Sequence, residues 1–288
     1  MKSYISIVQK ILDGGIRKHN RTGVDTLSIP GMLFEHDMSD GFPLLTTKRV
    51  PFRLVASELE FFIKGITDKE WLRSRDNHIW DEWCSPDIVA YNNDDSTKKR
   101  MKEERELGPI YGFQWRNFGA SYVTHDQKPN TQGIDQLKIL IETLKKDPHS
   151  RRMIVSSWNP QDLHHMALPP CHYAFQVLVT ENILNLLWNQ RSVDVALGLP
   201  FNIASYGLFL HLLAKEANLG EGRLVGFLAD THIYVNHIDG LRKQITREPR
   251  KLPRITTSQC SSIFDWQYTD SKIEDYNPYP KIEFEVAI

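Results

Sequence analysis

Hydrophobic residues recur at helical spacing in four parts of the chain: residues 5–12, 52–64, 134–144 and 200–218. The first segment is predicted to end at Gly14-Gly15 and the third at Asp147-Pro148, because glycine and proline interrupt helices. The last is apolar nearly all round, which predicts a helix buried in the core. The second carries Glu58 and Glu60 within its apolar run, and we expect one of these carboxylates to face inward.

Strand-like patterns occupy residues 27–36, 153–158, 173–179, 184–188 and 282–286. We predict that the first is interrupted at Pro30-Gly31, that 153–158 is buried, and that 173–179 pairs with 184–188 across a turn at 180–182. The mixture of strands and helices predicts a single α/β or α+β domain over residues 1–288. The polar, densely charged segment 84–107 is predicted to be an exposed insertion within this domain.

Composition narrows the functional classes. With 288 residues and 41% hydrophobic content, the chain can bury a substantial core, and its formal net charge of −1 gives no general attraction to nucleic acid. Cys84, Cys171 and Cys260 are widely spaced and lack a CxxC arrangement, so we expect neither a disulfide framework nor a cysteine zinc site. A reducing cytoplasm suits this usage, and we expect no secretion signal and no membrane span.

The stretch ALPPCHY places Cys171 directly after two prolines and before His172. Successive prolines restrict the backbone, so the thiol is expected to be held in place at the start of a strand. Successive strand residues point to opposite faces, so a Cys-His dyad does not follow from the adjacency. Taken alone, Cys171 fits either a buried small hydrophobe or a nucleophile activated by nearby positive charge.

Several polar residues are candidates for binding an anion and a base. Four arginines are predicted at turns or strand ends, and Ser192 follows the last of them: Arg21, Arg151, Arg152 and Arg191. A phosphate monoester would suit several guanidinium groups, and the alternative for each arginine is a surface carboxylate partner. Asn202 lies within the apolar 200–218 segment, where a buried carboxamide needs a partner such as a base edge. His232 and Tyr234 alternate and would share one face of a strand, and the spacing of His232 and His237 gives little support to a metal site.

The chain resembles the thymidylate synthase family in nine ordered blocks that span nearly its whole length. These blocks are NRTG (20–23), GFPLLTTK (41–48), HIWDEW (78–83), GPIYGFQWR (108–116), SRRMIVSSWNP (150–160), MALPPCH (166–172), QRSVDVALGLPFNIASY (190–206), DTHIYVNH (230–237) and EVAI (285–288). The resemblance implies a large mixed sheet flanked by helices and packed back to back with its copy in a homodimer. It also implies reductive methylation of dUMP to dTMP, with 5,10-methylenetetrahydrofolate as both carbon donor and reductant and with no metal.

The resemblance also implies roles for individual residues. Cys171 would add to C6 of the uracil ring, and four further groups would support the chemistry: Glu58, Tyr111, His172 and Arg191. The nucleotide would be held by Arg21, Gln190, Arg191, Ser192, Asp194, Asn202, His232 and Tyr234, together with Arg151 and Arg152 from the neighbouring subunit. The folate side would comprise Ile79, Trp80, Trp83, Asp194, Gly198 and Ala287.

The sequence departs from the family's usual residues in the surroundings of the implied site. The departures are Glu60, Phe61, Asn189, Ala196 and Leu228-Ala229. Asn189 stands where tyrosine is usual and could admit water, which would favour a related reaction that yields 5-hydroxymethyl-dUMP. A further alternative is a nucleotide- or RNA-binding regulator that keeps the fold without turnover, although the groups implied for catalysis are present.

Overall fold

The computed structural model describes residues 1–20, 22–258 and 261–286. Helices occupy Lys2–Gly14 (α1), Phe52–Ile63 (α2), Glu70–Arg73 (α3), Asp95–Glu103 (α4), Tyr111–Asn117 (α5), Gln136–Lys146 (α6), Gly198–Ala217 (α7) and Ile238–Ile245 (α8). Strands occupy Ile16–Lys18 (β1), Thr26–Asp37 (β2), Ile154–Ser156 (β3), His172–Thr180 (β4), Ile183–Asp194 (β5), Gly220–Tyr234 (β6), Arg254–Thr257 (β7) and Ser271–Glu274 (β8).

A mixed six-stranded sheet with the order β1-β2-β6-β5-β4-β3 forms the centre of this single domain. Neighbouring strands run antiparallel except β5 and β6, which are parallel and joined by α7 as their crossover helix. The strands β7 and β8 form a separate two-stranded sheet. The predicted fold class, a mixed sheet flanked by helices, is therefore confirmed.

Helix α7 forms part of the core, as its apolar sequence predicts. Twelve of its residues are buried, and Phe209 stacks on Trp115 of α5 at a centroid distance of 5.4 Å. Helices α1 and α6 instead bury one face each, with Ile11 and Leu140 among the core residues. The helices predicted at 5–12, 52–64, 134–144 and 200–218 are confirmed, with ends close to the predicted ones.

The helices cover one face of the six-stranded sheet and leave the other face, here called the open face, exposed in the single chain. Along β2 and β6, Phe34 and Leu228 are buried against the helices, while Leu33 and Phe227 are 48% and 45% exposed. Leu33 lies opposite Phe227, and Phe227 lies opposite Asn189 on β5. Strand alternation therefore places a continuous row of side chains on the open face.

The predicted hairpin between β4 and β5 is confirmed. Thr180 pairs with Ile183, and the two intervening residues, Glu181 and Asn182, have φ values of 50° and 64°. Two successive positive φ values are typical of the tight turns that match the twist of antiparallel strands. A register shift between His172 and Ala174 marks a bulge at the start of β4, immediately after Cys171.

Three strand predictions need correction. The strand predicted at 153–158 is shorter, Ile154–Ser156, and lies at the sheet edge; it is buried on one face only, because Val155 has no exposed surface while Ile154 is 53% exposed. Residues 282–286 form no strand, since their alternation reflects Phe284 packing against His237 at 5.0 Å. Strand β2 is not interrupted, because pairing with β6 keeps one register through Pro30 and Met32.

The segment 84–107 contains α4, which its sequence did not predict. Asp94 caps the start of α4 by accepting from the Thr97 N–H at 2.9 Å. Met101 of α4 joins Cys84 and Val89 in a small buried cluster. The segment thus has a hydrophobic anchor of its own, and its status as an insertion remains a prediction.

Within the described ranges, none of the helices combines the length and apolar character needed to span a bilayer. In the same residues, no three histidine, cysteine, aspartate or glutamate side chains converge as metal ligands would.

Candidate active site

The two prolines before Cys171 hold an arginine beside the thiol. Arg191 donates from Nε to the Pro170 carbonyl at 2.9 Å and from Nη2 to the Pro169 carbonyl at 2.7 Å. The same Nη2 lies 4.0 Å from Cys171 Sγ, and the Arg191 N–H donates to the Cys171 carbonyl at 2.8 Å. A fixed positive charge thus lies next to a half-buried sulfur. Arg191 lies inside β5, so its prediction at a turn or strand end was wrong.

An aromatic stack supports the other side of the Cys171 backbone. The Cys171 N–H donates to Tyr111 Oη at 2.7 Å, and the Tyr111 ring stacks on His172 with centroids 4.4 Å apart. His172 Nδ1 lies 3.0 Å from Tyr206 Oη. Burial lowers the pKa of His172 to about 3, so its imidazole is neutral at physiological pH. His172 is therefore a neutral hydrogen-bonding group. The side chain that accepts a hydrogen bond from the Cys171 N–H is that of Tyr111, not that of His172.

Glu58 lies within the apolar run of α2, where its carboxylate faces Trp80. Trp80 Nε1 donates to Glu58 Oε1 at 2.8 Å. Burial raises the pKa of Glu58 to about 7, which the Trp80 hydrogen bond partly opposes. A carboxyl group with this pKa can hold or release a proton near neutral pH.

Trp83 extends the aromatic surface beyond Trp80. The two indole rings are 6.3 Å apart and nearly perpendicular, and Trp80 also meets Tyr111 at 6.1 Å. Trp83 and Ile79 are only partly buried against the core. Accessible flat apolar side chains beside a carboxyl group can pack against an aromatic ligand ring.

The side-chain amides of Gln190 on β5 and Asn202 on α7 are hydrogen-bonded to each other. Gln190 Nε2 donates to Asn202 Oδ1 at 2.9 Å and to the Ser192 carbonyl at 3.1 Å, while Gln190 Oε1 accepts from Trp188 Nε1 at 3.1 Å. Asn202 is half-buried rather than buried as expected, and its required partner is Gln190. The arrangement fixes the amide orientation that Asn202 presents.

The ends of β5 and β6 bring a third group of predicted residues together. Asp194 lies opposite His232 in the parallel register, and its Oδ1 accepts from the Ala196 N–H at 2.9 Å just before α7. His232 is buried, and its ring meets Tyr234 at 5.3 Å. The Cβ position of Gly198 lies 3.8 Å from Asn202 Oδ1, so this group adjoins the carboxamide pair.

The described contacts do not connect four of the predicted site residues with this cluster. Arg151 and Arg152 are exposed between α6 and β3, and the hydrogen bonds that the described part of the chain gives them involve backbone atoms. Arg21 and Ala287 lie outside the described residues.

Two departures from the family pattern, Glu60 and Phe61, make contacts outside the cluster, whereas Ala196 donates to Asp194 and Leu228 lies opposite Gln190. Glu60 is buried, forms an ion pair with Lys64 and accepts from the Tyr268 N–H at 2.8 Å. Phe61 packs against Trp71 with centroids 5.9 Å apart. Asn189 lies between buried Trp188 and Gln190, so strand alternation directs it to the open face. Asn189 therefore lies on the face of β5 opposite to that of Gln190.

Sequence reasoning missed two residues of the cluster, Tyr206 and Trp158. Tyr206 follows Asn202 by four residues on α7, and its hydroxyl in an otherwise apolar helix was the available signal. Trp158 lies 5.5 Å below the Arg191 guanidinium in a cation–π contact, which no local pattern indicated.

Comparisons with known proteins identify the family of the chain. A profile described as thymidylate synthase matches residues 2–288. The chain is 44% identical over 286 residues to a thymidylate synthase of varicella-zoster virus (strain Dumas), covering 99% of this chain and 93% of that relative. It is also 44% identical over 285 residues to a bifunctional dihydrofolate reductase-thymidylate synthase of Paramecium tetraurelia, covering 99% of this chain but 61% of that relative. The chain belongs to the thymidylate synthase family.

Proposed function

We propose that the chain converts dUMP to dTMP with 5,10-methylenetetrahydrofolate, and that Cys171 is the nucleophile. The observation that carries the proposal is the Arg191 guanidinium, fixed by the Pro169 and Pro170 carbonyls 4.0 Å from Cys171 Sγ. A neighbouring positive charge favours the thiolate, which is the reactive form of cysteine. The thiolate forms a bond to C6 of the uracil ring, and the electron pair of the C5–C6 double bond moves toward O4, which makes C5 nucleophilic.

The groups around Glu58 then manage protons and charge. The pKa of Glu58, raised by burial to about 7, suits exchange of protons with O4 or with the ring through water. Tyr111 and neutral His172 would orient this hydrogen-bond network without carrying charge. After C5 has bonded to the one-carbon unit and lost its proton, elimination of the folate leaves an exocyclic methylene on C5. A hydride from that folate adds to the methylene carbon to give the methyl group, and the displaced electron pair re-forms the C5–C6 double bond as the Cys171 thiolate leaves.

We assign base recognition to the side-chain amides of Gln190 and Asn202, and sugar recognition to residues at the C-terminal end of β6. Because Gln190 donates to Asn202 Oδ1, the Asn202 amide has a defined orientation toward a pyrimidine edge. His232 and Tyr234 would bind the deoxyribose hydroxyl, and Arg191 with Ser192 would bind the phosphate together with Arg21.

The residues on the folate side fit a flat ring that carries N–H donors. Trp80, Trp83 and Ile79 provide the apolar surface, and the half-buried Asp194 carboxylate and Gly198 lie beside Asn202. Ala287 is proposed to complete this side. Methylenetetrahydrofolate supplies the one-carbon unit and the hydride, and it leaves as dihydrofolate.

We further propose a homodimer built on the open face. A row of half-exposed apolar side chains that includes Leu33, Phe227 and Ile154 is typical of a surface covered by a partner. In a symmetric dimer the exposed Arg151 and Arg152, next to this face, would reach the phosphate site of the neighbouring subunit. A reducing compartment, and hence the cytoplasm, would preserve the Cys171 thiol.

The decisive experiment incubates the protein with dUMP and methylenetetrahydrofolate, identifies the nucleotide by mass spectrometry and follows dihydrofolate by absorbance. We expect dTMP and dihydrofolate in equal amounts. A 5-hydroxymethyl product with tetrahydrofolate would instead identify the hydroxymethylase, and nucleotide binding without any product would identify a non-catalytic binder.

The Cys171→Ser variant tests the nucleophile. The hydroxyl fits the site but is a much weaker nucleophile, so turnover should fall by at least about 1,000-fold while dUMP binding is retained. Calorimetric titration with dUMP provides the binding measurement, and Cys84→Ser, at a buried cysteine of the 84–107 segment, is the matched control. Substantial activity in Cys171→Ser would refute the covalent role.

A further inference from the structure

Lys69 is a fully buried lysine that the proposed chemistry does not use. Its side chain has no exposed surface, and Nζ donates to three carbonyl oxygens: Asp81 at 3.0 Å, Trp83 at 2.8 Å and Met101 at 2.7 Å. An ammonium group has three N–H donors, so this geometry uses its full donor capacity. Burial lowers the pKa of Lys69 to about 8, and the three carbonyl dipoles compensate part of the cost of burying its charge.

The third carbonyl belongs to the last turn of α4, in the segment 84–107. The final carbonyls of a helix lack intrahelical partners and form the negative end of its dipole. Lys69 satisfies Met101, and Arg73 donates to the next carbonyl, Lys102. The charged residues of α3 and its N-cap therefore bind the C-terminal end of α4.

The other two carbonyls belong to residues 77–83, here called the tryptophan loop. Arg73 also binds this loop, because its Nε donates to Asp81 Oδ1 at 2.7 Å. Both cations thus contact α4 and the tryptophan loop simultaneously. From this loop Trp80 reaches Glu58, and Trp83 lies beside Trp80.

We propose that Lys69, assisted by Arg73, is a positioning residue that couples the segment 84–107 to the tryptophan loop and thereby sets folate binding. The inference rests on the proposed function, since it takes the tryptophan loop as part of the folate side. The segment 84–107 then acts on the reaction through its docked helix α4.

The test is Lys69→Met, which keeps most of the apolar stem and removes the three donors. We expect the KM for methylenetetrahydrofolate to rise about tenfold, with the KM for dUMP changed by less than about twofold, as for loss of charged hydrogen bonds on one side of a site. Lys99→Met on α4 is the matched control, because its side chain is 76% exposed and its described ion pair is a surface one with Glu103. Unchanged folate KM, or an equal rise in both KM values, would overturn the inference.

A second variant decides the question if Lys69→Met fails to fold. Asp94→Ala removes the exposed N-cap at the far end of α4 and leaves Lys69 intact. A rise in folate KM of about threefold, without a change in dUMP KM, supports the coupling through α4, and an unchanged folate KM contradicts it. Failure of the wild-type chain to form dTMP would reject the proposed function itself, and the wild-type assay is therefore run first.

Discussion

Pro169 and Pro170 act through their carbonyl groups as well as through their rings. A proline lacks an N–H, so its carbonyl is its one backbone hydrogen-bonding group, and both carbonyls accept from Arg191. The rigid backbone therefore fixes the cation beside Cys171 as well as the thiol. The sequence predicted the rigidity, and the family resemblance named Arg191, but its hydrogen bonds to the two proline carbonyls span 21 and 22 residues and had no local signal.

Glu58 should give the fold a pH dependence of its own. Its pKa rises from 4.5 to about 7 on folding, so the native state holds a proton that the unfolded chain releases. The stabilisation is complete below pH 4.5 and is lost as pH rises through 7, by up to about 3 kcal/mol. Urea unfolding of the wild type and of Glu58→Gln between pH 4.5 and 8 tests this dependence. The free energy of unfolding of the wild type should fall relative to that of the variant as the pH rises. Parallel stability curves, like those expected for exposed Glu103→Gln, would contradict the assignment.

Asn202 should determine the choice between uracil and cytosine. In Asn202→Asp, a carboxyl group replaces the amide that Gln190 orients, and its oxygens can accept from the amino group of cytosine. The ratio of kcat/KM for dCMP to that for dUMP should rise by about tenfold or more. Asn218→Asp, at the other end of α7, is the matched control. An unchanged ratio would show that Asn202 does not read the base.

At the scale of elements, β6 supports the site through a close approach to β5. Trp188 lies opposite Gly226, and a Cβ atom on Gly226 would come within 2.4 Å of the Trp188 ring. The ring also stacks on Tyr206 at 5.2 Å and donates to Gln190. Glycine at this position therefore allows the tryptophan to connect β6 with two residues of the site.

Gly226→Ala should displace Trp188 and lower both stability and dUMP affinity. Overpacking of this kind costs about 1–3 kcal/mol, and the shifted ring would no longer hold Gln190 in place. Thermal unfolding and the KM for dUMP measure the two effects. Gly220→Ala in the same strand is the control, because its Cβ would meet its nearest neighbour, Ile183, at an ordinary 3.5 Å. Equal behaviour of the two variants would argue against the tight contact.

Helices and strands with a regular local spacing of apolar residues could be predicted from the sequence. Those that depend on contacts with residues distant in sequence could not. Helix α7 and the β4–β5 hairpin follow from local apolar pattern and turn chemistry. Residues 282–286 alternate as a strand does, but no strand of the described residues pairs with them, so their period misled the prediction. Helix α4 was missed because its polar sequence is stabilised from outside by Lys69 and Arg73.

For the whole molecule, the sequence predicted which residues take part more reliably than how they connect. Motif resemblance named Cys171, Arg191 and Tyr111, and described contacts join all three. The contacts of Lys69 and Arg73 with both α4 and the tryptophan loop depend on three-dimensional packing, as does the contact of Trp188 with Gly226. No local sequence pattern predicts either of them. The roles of Arg151 and Arg152 depend on a second chain and remain predictions.

A charge on the open face should separate the proposed dimer. Phe227→Asp places a carboxylate among the row that includes Leu33, where burial against a partner would be costly. We expect a monomer by analytical ultracentrifugation and loss of turnover, because Arg151 and Arg152 could not reach a neighbouring site. Ile139→Asp, at a 53% exposed position on α6, should leave assembly and activity unchanged. An active monomeric variant would contradict the shared site.

The pairing of β2 with β6 also affects how the chain folds during synthesis. Ser28 and Asp230 are hydrogen-bonded across the sheet although they are 202 residues apart in sequence. During synthesis, the hairpin of β1 and β2 therefore keeps one strand edge unpaired until most of the chain has left the ribosome. Such long-range pairing slows folding and leaves apolar strand edges open to aggregation, so newly made chains should depend on chaperones.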